Sequence, residues 1–134
     1  MCIRDRLYPH AGTLQQGGVV EEGYLLNNPL ALTKVEASAE GALPEQLSLV
    51  ETDRAGFLVT ALKVSEDGDA IALRLYEAHG TRGKAKIKIG LPVSEVSRAD
   101  MLERPTEALA FDTESKTVEL EVKPFEIVTL HLRK

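Results

Sequence analysis

The chain has 134 residues, a formal net charge of −5 and a pI of about 5.2. That length suits one domain able to bury a real core, and the acidic balance argues against nucleic acid or an anionic membrane as partner. The single cysteine, Cys2, rules out a disulfide framework; no apolar run approaches the roughly 20 residues of a membrane helix, and the start lacks a signal-peptide core, which together point to a cytoplasmic protein.

Residues 15–26 have the spacing of a short helix: Val20 and Tyr24 lie four apart and Pro29 would stop it. Gly17, Gly18 and Gly23 weaken it by about 1 kcal/mol each relative to Ala. Residues 33–46, with little periodicity, read as a surface loop. From residue 47 strands dominate. Leu47, Leu49 and Glu51 alternate with Ser48, Val50 and Thr52. Residues 53–56 form a turn, residues 57–64 a second strand, and Glu66-Asp67-Gly68-Asp69 a polar reversal.

Ile71, Leu73 and Leu75 share one face of the next strand; Ala72, Arg74 and Tyr76 share the other. After a turn over residues 78–83, Ala85, Ile87 and Ile89 face one way and Lys84, Lys86 and Lys88 the other. Residues 71–76 and 84–89 are thus the clearest hairpin, each strand with one buried and one wet face. The three lysines also oppose edge-to-edge pairing. Pro92 ends this strand, and residues 93–102 read as extended with Val96 inward. Residues 107–111 and 117–122 are two further strands separated by residues 112–116; Val118, Leu120 and Val122 alternate with Glu119, Glu121 and Lys123.

In the last strand Phe125 and Ile127 have one parity, Leu130 and Leu132 the other. Either a bulge near Val128 or Thr129 brings all four to the core, or the strand is buried on both faces. About seven short strands with turns between them indicate a mainly β chain. The expected fold is an antiparallel β-sandwich with at most one short N-terminal helix. Its core rests on Ile71, Leu73, Leu75, Ile87, Ile89, Val118, Leu120, Ile127 and Leu130.

Chemistry-bearing residues are sparse. The three histidines, His10, His79 and His131, show no metal-motif spacing with one another or with Asp or Glu. His131 alternates with leucines and reads as a rim or surface residue. His10 and His79 sit beside glycines in loops, where ordering a turn is their ordinary role and contact with a substrate the sharper one. Glu66, Asp67 and Asp69 surround Gly68, but a calcium loop of the EF-hand type needs ligands over about 12 residues, so a solvated turn is the simpler reading. Arg74, Tyr76 and Glu77 are the strand residues best suited to function; Arg74 and Glu77 read more simply as a surface pair worth under about 1 kcal/mol. No phosphate loop, nucleophile elbow or Cys/His pairing is present.

The run Leu73-Arg74-Leu75-Tyr76-Glu77-Ala78-His79-Gly80 resembles a block near the C-terminus of glycoside hydrolase family 38, the α-mannosidases. Tyr8-Pro9-His10-Ala11-Gly12-Thr13, Gly18-Val19-Val20-Glu21-Glu22-Gly23-Tyr24 and Leu26-Asn27-Asn28-Pro29-Leu30 resemble the lead-in to that family's last β-rich part. Residues 58–63 resemble its next strand. Asp100-Met101-Leu102-Glu103-Arg104-Pro105 and Pro124-Phe125-Glu126-Ile127-Val128-Thr129-Leu130 resemble its final elements. The blocks keep the family's order and are most similar to its cytosolic and bacterial branch. Leu14 departs from the pattern, which leads one to expect an aromatic there. Residues 1–6, Met1-Cys2-Ile3-Arg4-Asp5-Arg6, fall outside it and read like a translated sequencing adaptor, the alternative being a disordered tail.

The resemblance implies three segments: 1–6 an artefactual tail, 7–46 a lead-in packing on the sandwich, and 47–134 the C-terminal β-sandwich. Family 38 enzymes are retaining glycosidases that use two carboxyl groups, with a divalent metal, usually zinc, in the catalytic domain. None of those motifs lies in this chain, so it implies no catalytic residue, metal ligand or cofactor here. The implied partner is an upstream catalytic domain of the same polypeptide, which would bring the mannoside; subunit assembly is a further role. His10, His79, Tyr76 and Glu77 are the candidate contacts at the cleft rim. The alternative is a self-sufficient carbohydrate-binding or structural module, against which stands an aromatic content of 4% with no Trp.

Overall fold

A computed structural model describes residues 5–36, 41 and 44–134. The residues that read as adaptor, apart from Asp5 and Arg6, lie outside it, as do residues 37–40, 42 and 43 of the expected loop. The chain divides into two compact units, Met1–Gly41 and Ala42–Lys134.

In the first unit a turn precedes the helix. Gly17 donates its N–H to the Thr13 carbonyl (2.9 Å), Thr13 to the Gln16 side-chain oxygen and Gln16 to the Thr13 hydroxyl. Helix α1 spans Val19–Asn27, starting four residues later and ending one residue later than the expected span. Glu21 and Glu22 lie in its first turn, where the helix dipole favours negative charge. It stops where Asn28 donates its N–H to the Tyr24 carbonyl (2.8 Å), just before Pro29. No residue of α1 is buried. Leu25 is 57% exposed, and Leu30 and Leu32 beyond it 89% and 97%; the apolar side of this segment has no cover in the first unit.

The second unit is two antiparallel sheets. Strands β1 (Val50–Thr52), β4 (Gly83–Ile89), β8 (Thr117–Val122) and β7 (Phe111–Asp112) form one, in that order. The other runs β2 (Phe57–Val64), β3 (Ile71–Glu77), β9 (Ile127–Arg133), β5 (Glu95–Ala99) and β6 (Pro105–Leu109). Leu73, Leu75, Val128, Leu130 and Leu132 of the second sheet meet Ala85, Ile87, Ile89, Val118, Leu120 and Val122 of the first, all at most 5% exposed. The mainly β fold with one short helix is as expected.

The pairing differs from expectation. Residues 71–76 and 84–89 are not a hairpin: β3 pairs with β2 and β9, while β4 pairs with β1 and β8. Each has an apolar face, and the two faces meet across the core instead of sharing one sheet. The true hairpin joins β2 to β3 through residues 65–70, closed by Ser65 N–H to the Ala70 carbonyl (2.9 Å). The lysine face of β4 does turn outward, but β4 is an interior strand, so its lysines guard no edge. They meet carboxylates instead: Lys84–Glu119 at 2.8 Å and Lys88–Glu51 at 3.6 Å.

Other registers shift too. In β1 the inward side chains are Val50 and Thr52, leaving Leu47 and Leu49 exposed. The extended segment expected over 93–102 ends at Ala99, where residues 100–104 turn about the Asp100 carboxylate, which accepts the N–H groups of Leu102 (2.8 Å) and Arg104 (3.0 Å). Residues 107–111 split between sheets, β6 joining one and β7 the other. The last strand has no bulge: β9 pairs with β3 without a break from Ile71↔Leu132 to Tyr76↔Ile127. Its two-faced burial accounts for the parity change. Val128, Leu130 and Leu132 face the core; Thr129 and His131, on the opposite face, are buried as well. Ile127, expected in the core, is 52% exposed, and Phe125 is 62% exposed.

Candidate functional site at the crossover between the sheets

The link from β3 to β4, residues 78–83, carries the chain from one sheet to the other and holds two of the four candidate residues or their contacts. Glu77 ends β3 with the parity of Leu73 and Leu75, so its carboxylate enters the end of the core and is fully buried. One oxygen accepts the His79 N–H (3.2 Å) and the Thr81 hydroxyl (2.8 Å); the other accepts the Phe125 N–H (3.0 Å). Thr81 in turn receives the Arg54 guanidinium. Burial pushes the Glu77 carboxyl up, but the donors from Phe125, Thr81 and His79 outweigh it and hold the pKa at about 2. Glu77 is therefore ionised at neutral pH with both oxygens occupied, and it cannot donate a proton or reach a ligand. This corrects its placement at a rim, and its reading as a surface partner of Arg74.

The surroundings of Glu77 are fixed by the same crossover. Ala78 donates its N–H to the Gly56 carbonyl (2.7 Å), and the half-buried His79 ring lies against Gly56. Gly80 has φ +68°, and a Cβ there would meet the Phe125 ring at 2.7 Å; both the left-handed backbone and the close approach require glycine. Phe125 itself has φ +57°, held by the Glu77 contact. Tyr76, one residue earlier, points to the opposite face of the sheet, opposite Leu58 and Ile127 in register. The structure thus brings Glu77 and His79 together and sends Tyr76 away. His10 belongs to the first unit, where it is exposed, rests on Gly17 and stacks loosely on Tyr8 with ring centroids 6.2 Å apart.

A second buried carboxylate lies on the outer face of the five-stranded sheet. Glu103 is 7% exposed and meets Lys63 at 2.8 Å, Arg74 at 3.6 Å and the Glu66 N–H at 3.0 Å. The Lys63 ammonium holds its carboxyl below the ordinary range against the opposing effect of burial. Arg74 also donates to Thr129 (3.3 Å). His131, expected at the surface, is buried beside this network; its Nε2 lies 3.6 Å from Asp69, which also faces Arg133 at 3.8 Å. Glu66 and Asp69 of the polar reversal are thus committed to Lys63 and to His131 and Arg133. Sequence reasoning missed Glu103; the available signal was Arg74, a cation on the outer face of a strand that needs a counter-charge.

Each buried carboxylate is thus saturated by fixed donors. Among the described residues no three His, Cys, Asp or Glu side chains converge to hold a metal ion. Among them, too, no helix is long and apolar enough to cross a membrane.

Comparison with known proteins agrees with this architecture. Residues 56–130 match the model of the glycosyl hydrolases family 38 C-terminal beta sandwich domain. The chain is 31% identical over 126 residues to human alpha-mannosidase 2C1, covering 94% of this chain and 12% of that protein. It is 29% identical over 130 residues to the mouse alpha-mannosidase 2C1, with the same coverage of each. To alpha-mannosidase G of Dictyostelium discoideum it is 27% identical over 126 residues, covering 92% of this chain and 11% of that protein. The chain spans about an eighth of the length of these relatives. With strands β2 to β8 and the start of β9 inside that match, which covers more than half of the chain, the chain belongs to glycoside hydrolase family 38, as its C-terminal β-sandwich domain.

Proposed function

We propose that this chain is the non-catalytic terminal part of an α-mannosidase whose upstream domain hydrolyses terminal α-mannosides. The observation that carries the reading is the extent of the match: over 90% of this chain aligns with only 11–12% of three α-mannosidases. The side chains agree with it. Retaining hydrolysis needs a free nucleophilic carboxylate and a second carboxyl able to donate a proton. Glu77 and Glu103 are locked in hydrogen bonds and neither can serve. Nucleophile, acid and the divalent metal, zinc by family resemblance, are assigned to the upstream domain.

The exposed apolar residues of 7–32 support a partner in the same polypeptide. Leu7, Leu14, Leu25, Leu30 and Leu32 are each more than half exposed, the kind of surface that marks an interaction site. The role of this domain is then to complete the fold of the enzyme, with residues 7–32 covered by the catalytic domain. The reading places the enzyme in the cytoplasm and in mannose metabolism, supported by the resemblance to the cytosolic and bacterial branch.

The test is an assay of the purified chain on a chromogenic α-mannoside with and without added zinc. No release is expected. The reading frame that continues upstream of Leu7, expressed with this domain, is expected to turn the substrate over. Metal-dependent turnover by the 134-residue chain alone would overturn the proposal. Mannoside binding by the chain alone, with no catalytic domain in the upstream frame, would favour the self-sufficient module.

A further inference from the structure

The two sheets present different outer faces. On the four-stranded sheet that face is ionic: Lys84 lies opposite Glu121 and Lys86 opposite Glu119 in register, with the lysines turned to solvent. On the five-stranded sheet one row is apolar. Leu58, Tyr76 and Ile127 stand side by side across β2, β3 and β9. Each follows or precedes a core residue in its strand, so all three side chains lie on the face away from the core.

The next row of the same face is Ala61, Arg74, Thr129 and Ala99. From it Arg74 donates to the Met101 carbonyl at 3.4 Å, which ties the turn of residues 100–104 to this side of the sheet. Ile127, Met101 and Leu102 are each more than half exposed. Single apolar side chains in water are ordinary on any protein. A cross-strand row of three, flanked by a turn whose own apolar residues face solvent, is the gathered kind that marks an interaction surface. Tyr, Met and Arg are also the residue types that interfaces concentrate.

We propose that the row Leu58–Tyr76–Ile127, with Met101 and Leu102, docks an apolar surface of the upstream domain of the same polypeptide, as a contact separate from residues 7–32. The proposal rests on the reading of the chain as the terminal part of an α-mannosidase. The length of chain outside the structure selects this occupant. The aligned region is only 11–12% of three α-mannosidases, so most of such a polypeptide lies beyond it. A partner tethered on the same chain meets the face at an effective concentration on the order of millimolar, which a free second copy does not reach. The face itself asks for apolar cover: the charge of Arg74 is already met by Glu103 at 3.6 Å. The ionic face of the other sheet stays in water.

The experiment places a thiol on the face and measures its reaction with N-ethylmaleimide, read peptide by peptide in a mass spectrometer. Met101→Cys and Ile127→Cys are made separately in a Cys2→Ser background, with Lys86→Cys on the other sheet as control. Each is studied in the 134-residue chain and in the polypeptide extended through the upstream frame. Thiols at 101 and 127 are expected to react freely in the short chain and at least tenfold more slowly in the long one, while the thiol at 86 reacts alike in both. Equal rates at 101 and 127 in the two contexts, in a long polypeptide that hydrolyses α-mannosides, overturn this proposal and leave the α-mannosidase reading standing. An upstream frame with no catalytic domain overturns both. Slow, concentration-dependent labelling in the short chain overturns the proposal in favour of a second copy. If one thiol variant does not fold, the other decides.

Discussion

The Glu77 carboxylate accepts the backbone N–H of Phe125 at 3.0 Å and so ties the end of β3 to the entry of β9, far along the chain. With the same group it holds the His79 N–H and the Thr81 hydroxyl. One buried charge thereby fixes both links that leave this end of the sandwich. A residue whose neighbours in sequence suggested a surface or substrate contact is a structural fastener.

Replacing Glu77 is therefore expected to unfold the domain more easily at neutral pH. Glu77→Gln keeps the shape but turns an acceptor oxygen into a donor facing N–H groups, and is expected to cost about 2–3 kcal/mol in urea denaturation. The pH dependence has a definite sign. The folded pKa of about 2 lies below the ordinary 4.5, so the contribution is fully present above pH 4.5 and is lost as pH falls toward 2. Its size is of order 3 kcal/mol. The unaltered domain should weaken across that window, and Glu77→Gln should lose this component of the slope. Parallel curves for the two proteins would remove the fastener role.

Gly80 and Phe125 should behave as a coupled pair. Gly80→Ala adds a Cβ against the Phe125 ring and puts a non-glycine residue at φ +68°, with an expected loss of about 2–3 kcal/mol. In a Phe125→Ala background the steric part disappears, and the same change should cost only about 1 kcal/mol. A double-mutant cycle by thermal or urea melting measures the difference; strict additivity would mean that the ring does not press on Gly80.

Two leucines separate the core from the uncovered surface. Leu130 is fully buried, and Leu130→Ala is expected to cost about 2–5 kcal/mol. Leu25 on α1 is 57% exposed, and Leu25→Ala should stay within about 0.5 kcal/mol in this chain. In a polypeptide that carries the proposed catalytic domain, Leu25→Ala should lower thermal stability measurably, because the side chain is then covered. Equal tolerance in both contexts would argue that α1 docks nothing.

Local pattern determined a good deal on its own. Period-two alternation identified the faces of β3, β4 and β8: Leu73, Ile87, Ile89, Val118 and Leu120 are buried, while Lys84, Lys86 and Lys88 turn outward. The helix and the family were legible from short blocks such as residues 73–80. Partnership was not legible, because alternation states which face is apolar and not which sheet that face closes. Residues 71–76 and 84–89 satisfy the pattern of a hairpin and of two strands facing each other across a core equally well. Only the crossover at residues 78–83, with Gly80 and the donors on Glu77, decides between them. The same holds for β9, whose change of parity was visible but whose cause lay in residues distant in sequence. Thr129 and His131 are buried because Arg74, Glu103 and Asp69 gather on the outer face. Buried charge follows tertiary neighbours, since a carboxylate leaves water only where donors from elsewhere in the chain await it.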